Sequence, residues 1–102
     1  MSVLITAEVR GQTAQGYDDM LAELAASLKQ APGLILHSSH ATEDGWRVIE
    51  VWQSKAQSDQ FFATVVAPRL PPGMRPKRSV QALHNVALPA LAKAGSDSGS
   101  VA

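Results

Sequence analysis

The chain has 102 residues, 45% of them apolar, with nine basic and nine acidic side chains and no cysteine. That length supports one domain with a two-layer core, and the cancelling charge argues against a dedicated nucleic-acid binder or a protein held to a membrane surface. Without cysteine, disulfides, thiolate nucleophiles and cysteine-ligated metals are excluded.

The opening residues, Met1 to Gly11, lack the basic region and long apolar core of a signal peptide. No apolar run approaches the roughly 20 residues needed to cross a bilayer, so a soluble cytoplasmic protein is expected. Val3 to Arg10 alternates as a strand, with Val3, Ile5, Ala7 and Val9 on one face. Leu4 makes its start apolar on both sides, as in a strand covered on both faces. Gly11 to Gly16 reads as a loop, and a helix follows from about Tyr17, with Asp18 and Asp19 complementing its N-terminal dipole. Tyr17, Leu21, Leu24 and Leu28 keep the helical period, and Ala31-Pro32-Gly33 ends the helix.

Leu34 to Thr42 is a second strand, and Glu43-Asp44-Gly45 turns it into a third, rich in β-branched and aromatic residues (Trp46, Val48, Ile49, Val51, Trp52). Ser54 with Gln57 fits a capping box for a second helix from about Lys55 to Ala67, burying Phe61, Phe62, Val65 and Val66. Arg69 to Arg78 is a proline-rich basic loop, read as solvated, and Ser79 to Leu88 is a fourth strand. Residues 1–88 thus form one domain, and the small, polar tail 89–102 has too little to bury to be ordered. The order β-α-β-β-α-β is the ferredoxin-like α+β arrangement, an antiparallel four-stranded sheet with both helices on one face. Both faces of the third strand are apolar, so the open face of the sheet calls for a partner. A homodimer joined sheet to sheet across a two-fold axis supplies it.

This element order, together with the runs Pro32-Gly-Leu-Ile-Leu-His37 and Gly45-Trp-Arg-Val-Ile-Glu-Val-Trp-Gln-Ser54 and the pair Phe61-Phe62, resembles the antibiotic biosynthesis monooxygenase-like proteins of the dimeric α/β-barrel superfamily. The resemblance spans about residues 1–88 and implies a homodimeric barrel. It also implies a small-molecule substrate of aromatic or polyketide-like type, and oxygen chemistry without a cofactor. Members of that superfamily include cofactor-free oxygenases, heme-degrading oxygenases, lactone isomerases and dehydratases. The cofactor-free oxygenases commonly use an Asn, a Trp and a nearby Arg or Tyr. Trp52 matches the strand-end Trp, while the first strand offers Thr6 and Glu8 in place of an Asn. No His falls on either predicted helix, where the heme-degrading branch carries its ligand. His37 and His40 keep the isomerase branch open.

Among candidate catalytic groups, His37 and His40 lie three apart on one strand and so face opposite sides, which rules out a metal pair. Either is a candidate general base, since histidine titrates near neutrality. The plainer reading, favoured for each, is a histidine hydrogen-bonded in the sheet or half exposed, and His84 on the last strand is read the same way. The hairpin register decides between the two. A two-residue Asp44-Gly45 loop sets His37 opposite Trp52 and Ser39 opposite Glu50; a three-residue loop sets Ser38 opposite Glu50 and His40 opposite Val48. Glu8 and Glu50 are mid-strand acids on what the fold makes adjacent strands. They are read as sharing a face, either as acid/base groups or paired to Arg10 or Arg47. Trp46 and Trp52 are candidates to stack on a planar substrate or to anchor the core. Tyr17 sits at the rim, and Arg47 or Asn85 is placed to stabilise an anion. No phosphate loop, dinucleotide fingerprint or nucleophile elbow is present. Alternative readings are an isomerase or cyclase in the same pocket, and a non-catalytic ligand-binding or stress-associated barrel.

Overall fold

The structure is a computed structural model and describes residues 1–89; the expectation for the tail from residue 90 lies outside the described residues. Four strands, β1 (Val3–Arg10), β2 (Leu34–Thr42), β3 (Gly45–Trp52) and β4 (Lys77–Ala82), alternate with two helices, α1 (Ala14–Lys29) and α2 (Lys55–Phe61). The sheet is antiparallel in the order β2-β3-β1-β4, the ferredoxin-like topology expected.

Local chemistry sets the helix ends. The first helix begins three residues earlier than its periodicity suggests, because Thr13 caps it by accepting the Gly16 N–H at 3.0 Å. Asp18 and Asp19 therefore fall beyond the first turn. Ser54 caps α2 by accepting the Gln57 N–H at 3.2 Å, but the Gln57 side chain returns to the Ser54 hydroxyl instead of its backbone N–H, so only half of the capping box forms. Beyond Phe61 the helix widens into a π turn (Phe62–Val66) and tightens into a 3₁₀ turn (Ala67–Arg69). Pro68 is the cause: it has no N–H to donate and its ring crowds the carbonyl a turn earlier. Arg69 answers by donating to the Val65 carbonyl at 2.8 Å. The last strand begins earlier than Ser79 and ends at Ala82, which leaves His84 and Asn85 outside the sheet.

Paired residues share a face, so the register sorts the side chains. Toward the helices point Val3, Ile5, Ala7 and Val9 of β1, with Trp52, Glu50, Val48 and Trp46 opposite them on β3. Val3, Ile5, Trp52 and Phe61 form the buried core, with Leu28, Leu34 and Val66 packed around it. The open face carries Leu4, Ile49 and Val51 beside Glu8 and Arg47, and Leu36 there is 46% exposed.

The hairpin adopts neither expected register. Thr42 pairs with Gly45 and His37 with Glu50, so the turn residues are Glu43 and Asp44. Neither has a positive φ, and Gly45 does not either, so this is not the left-handed turn that Asp-Gly favours. The Glu43-Asp44 turn sets every pair from Thr42 with Gly45 to Leu36 with Val51, His37 opposite Glu50 among them; beyond Leu36 a bulge shifts β2 by one residue and sets Leu34 opposite Trp52. Gly45 serves close packing. A Cβ there would strike the Val9 carbonyl oxygen and lie 2.9 Å from the Arg10 Cα, beside the 2.8 Å bond from the Gly11 N–H to the Asp44 carbonyl. Gly45→Ala is expected to lower folding stability by about 1–3 kcal/mol in chemical denaturation, the usual cost of overpacking. A variant as stable as the parent would contradict this packing.

Candidate functional site

A cavity lies between the helices and the sheet, walled by Tyr17, Met20 and Leu21 of α1, by Ile5, Ala7 and Val9 of β1, by Trp46, Val48 and Glu50 of β3, and by Phe61 and Phe62. Its space is about 100 Å³. One water needs about 10–15 Å³ by the same measure, so a small organic molecule has room. Most of the wall is aliphatic or aromatic, and the polar groups gather in two places.

The first is a chain of hydrogen bonds across three elements. The Tyr17 hydroxyl meets His37 Nε2 at 2.6 Å, His37 Nδ1 meets Glu50 Oε2 at 2.7 Å, and the Trp52 indole N–H donates to Glu50 Oε1 at 2.8 Å. Tyr17 comes from the first turns of α1, His37 from β2 and Glu50 from β3, and the hairpin turn at Glu43-Asp44 aligns the latter two. The side chains of His37 and Glu50 are 20% and 16% exposed, while Trp52 is fully buried and packs on Phe61 with ring centres 5.5 Å apart. A carboxylate only accepts hydrogen bonds. With a neutral imidazole, therefore, Nδ1 carries the proton and Nε2 is left to accept from Tyr17. Burial raises the Tyr17 pKa above the usual 10.0; the nearby Ser39 hydroxyl works against the rise, and the charges of Glu50 and Asp18 add to it. Tyr17 is a neutral phenol under ordinary conditions.

The second group is Arg78 on β4. Its Nη2 donates to Ser58 Oγ at 2.8 Å, its Nη1 lies 3.4 Å from Asp59, and its guanidinium sits 4.7 Å over the Phe62 ring. Ser58 is 2% exposed. Lys55, hydrogen-bonded to Asp59, holds that carboxyl below its ordinary range despite slight burial, and Arg78 adds to the effect. The proline-rich run Arg69 to Arg78 reads as a solvated loop, yet Arg78 lies on β4. Its signal was parity with Val80, which needs a strand that starts at Lys77.

The other expected site residues scatter. His40 is exposed on the open face and donates from Nδ1 to the Ala41 carbonyl at 2.8 Å, away from the cavity. Arg47 also lies on the open face and pairs with Glu8. Glu8 and Glu50 thus occupy opposite faces, since Glu8 aligns with Arg47 and Ile5 with Glu50. Asn85 is exposed beyond β4. Trp52 stands behind Glu50 as a strut and does not line the cavity, which corrects its expected role as a stacking platform. Trp46 does line it, stacked on Tyr17 at 5.3 Å and 25°, and its buried indole N–H has no partner among the described residues.

Glu50→Gln tests the hydrogen-bond chain. An amide has one acceptor oxygen, so it serves the Trp52 N–H and turns its NH₂ toward His37. The expected result is a folded protein in which His37 changes to the Nε2–H tautomer, read from its ¹⁵N shifts. An unchanged tautomer would contradict the assigned chain.

No family model matches the chain, and no curated protein matches it. In shape it is similar to SnoaB, a cofactor-independent oxygenase from Streptomyces nogalater. The N63A variant of that protein superposes with a TM-score of 0.58 at 16% identity, over 86% of this chain and 97% of that one. A second SnoaB structure gives 0.52 at 17% identity, over 86% and 95%. PA3566 from Pseudomonas aeruginosa gives 0.51 at 17% identity, over 84% and 93%. At such identities the likeness is one of fold, and the chain has the ferredoxin-like α+β fold that its resemblance to the antibiotic biosynthesis monooxygenase-like proteins implies.

Proposed function

We propose that the chain is a cofactor-independent monooxygenase-like enzyme for a small aromatic or polyketide-like compound, with His37 as its base and Glu50 behind it. The observation that carries this reading is the Tyr17–His37–Glu50 hydrogen-bond chain set in an otherwise apolar wall. An apolar cavity takes a planar hydrophobic substrate, and the polar chain gives it one place to lose a proton. A phenolic substrate with an activated CH₂ forms a delocalised carbanion when that proton leaves. The carbanion passes one electron to O₂, the radical pair combines as a peroxide, and loss of water leaves C=O where CH₂ stood. The protein supplies binding, proton removal and stabilisation of the anion, to which the Arg78 charge contributes. SnoaB, a cofactor-independent oxygenase, supports the reading through its shared fold alone.

A second reading has its own support: the same chain can return the proton elsewhere on the substrate, as an isomerase or cyclase does. Oxygen uptake separates the two. With an anthrone as probe, the account expects oxygen consumption matched by quinone formation, and a loss of about 10²–10⁴-fold for His37→Ala. Turnover without oxygen uptake favours the isomerase; a fully active His37→Ala variant contradicts the base.

We also propose a homodimer formed through the open sheet face. Its support is the apolar group Leu4, Leu36, Ile49 and Val51 on a face that no element covers among the described residues. Sedimentation is expected to give a dimer, and Ile49→Glu a folded monomer. A parent chain that sediments as a monomer contradicts the pairing.

A further inference from the structure

We propose that Tyr17, and not the His37 imidazole, is the group that meets the substrate, accepting its proton at Oη while its own hydroxyl proton passes to His37 Nε2. This rests on the reading of His37 as the base. Imidazole has two nitrogens, and both are engaged: Nδ1 with Glu50 at 2.7 Å and Nε2 with the Tyr17 hydroxyl at 2.6 Å. No nitrogen of His37 is left to face a ligand, whereas a phenol oxygen that donates one bond keeps lone pairs free to accept another.

Placement agrees. Tyr17 lines the cavity, and its ring lies within 9° of the imidazole plane, so its hydroxyl meets the in-plane lone pair of Nε2. Trp46 stacks on its ring at 5.3 Å and holds it there. Glu50 is itself held by the Trp52 N–H, so the carboxylate faces the imidazolium as it forms. The step balances. The substrate C–H bond breaks and its proton goes to Oη, the Tyr17 O–H bond breaks and its proton goes to Nε2, and the electron pair stays on the substrate. The products are a substrate carbanion and an imidazolium opposite Glu50, with no free phenolate. A buried phenol that resists ionisation suits such a concerted transfer, because it never has to hold a negative charge alone. Tyr17 and His37 thus divide the work: one touches the substrate, the other stores the proton.

Tyr17→Phe distinguishes this arrangement from direct attack by His37, because it keeps the ring packing and frees Nε2. The probe is an anthrone incubated without oxygen in D₂O, with deuterium entry at its CH₂ followed by NMR. The relay predicts that Tyr17→Phe, still folded, slows exchange by about 100-fold or more relative to the parent. Exchange at or above the parent rate would overturn it, since His37 would then act unaided. A second measurement needs no substrate. The ¹⁵N spectrum of the ligand-free chain is expected to show His37 protonated at Nδ1 and bare at Nε2; a proton bonded to Nε2 would overturn the relay. Oxygen plays no part in either readout. A chain that exchanges deuterium but consumes no oxygen keeps the relay and loses the oxygenase reading.

Discussion

Glu50 puts a carboxylate into an apolar wall, and a carboxylate there demands donors before it is tolerated. It has two, the indole N–H of Trp52 two residues along its own strand and the imidazole of His37 on the neighbouring strand. The first comes with strand geometry, because residues two apart share a face. The second needs β2 in one register only, and the two-residue turn at Glu43-Asp44 supplies it. A loop one residue longer would place Ser38 opposite Glu50, turn His37 to the other face and leave the acid with one donor. The turn is therefore what lets the site exist. The bulge beyond Leu36 lies past this pair and sets Leu34 against Trp52 in the core.

The two faces of the sheet then divide the roles. The inner face holds the core at one end, where Val3, Trp52 and Phe61 close it, and the cavity further along, under α1. Because Trp52 is both core and donor, the polar chain is fastened to the best-packed part of the molecule. The outer face has its own charge pair, Glu8 with Arg47, and an apolar remainder. An acid on each face serves a different end, and the strand period keeps them apart.

The architecture was legible in the sequence, because strand alternation, the helical stripe of α1 and the Ser54 cap are local patterns with large energetic consequences. The ingredients of the site were legible too: His37, Glu50 and Tyr17 stand out as polar groups at apolar-facing positions. What the sequence did not carry was their meeting. Asp44-Gly45 mimics a turn signal, when the turn residues are Glu43 and Asp44 and Gly45 is in fact a packing glycine against β1. A slip of one residue exchanges His37 for His40, so the error fell on the residues that mattered most. Trp52 went astray for a different reason. A strand-end Trp is equally suited to stack on a ligand or to fill a core, and only its complete burial decides. Arg78 was hidden because proline-rich sequence before it masked the start of β4.

The most direct test of this account is a crystal structure of the chain with a planar phenolic ligand bound. The account predicts the ligand between α1 and the sheet, with its reacting atom within hydrogen-bond reach of the Tyr17 hydroxyl and the Tyr17–His37–Glu50 chain intact behind it. A ligand seated on the open sheet face, or one bound in the cavity with His37 turned away from Glu50, would contradict it.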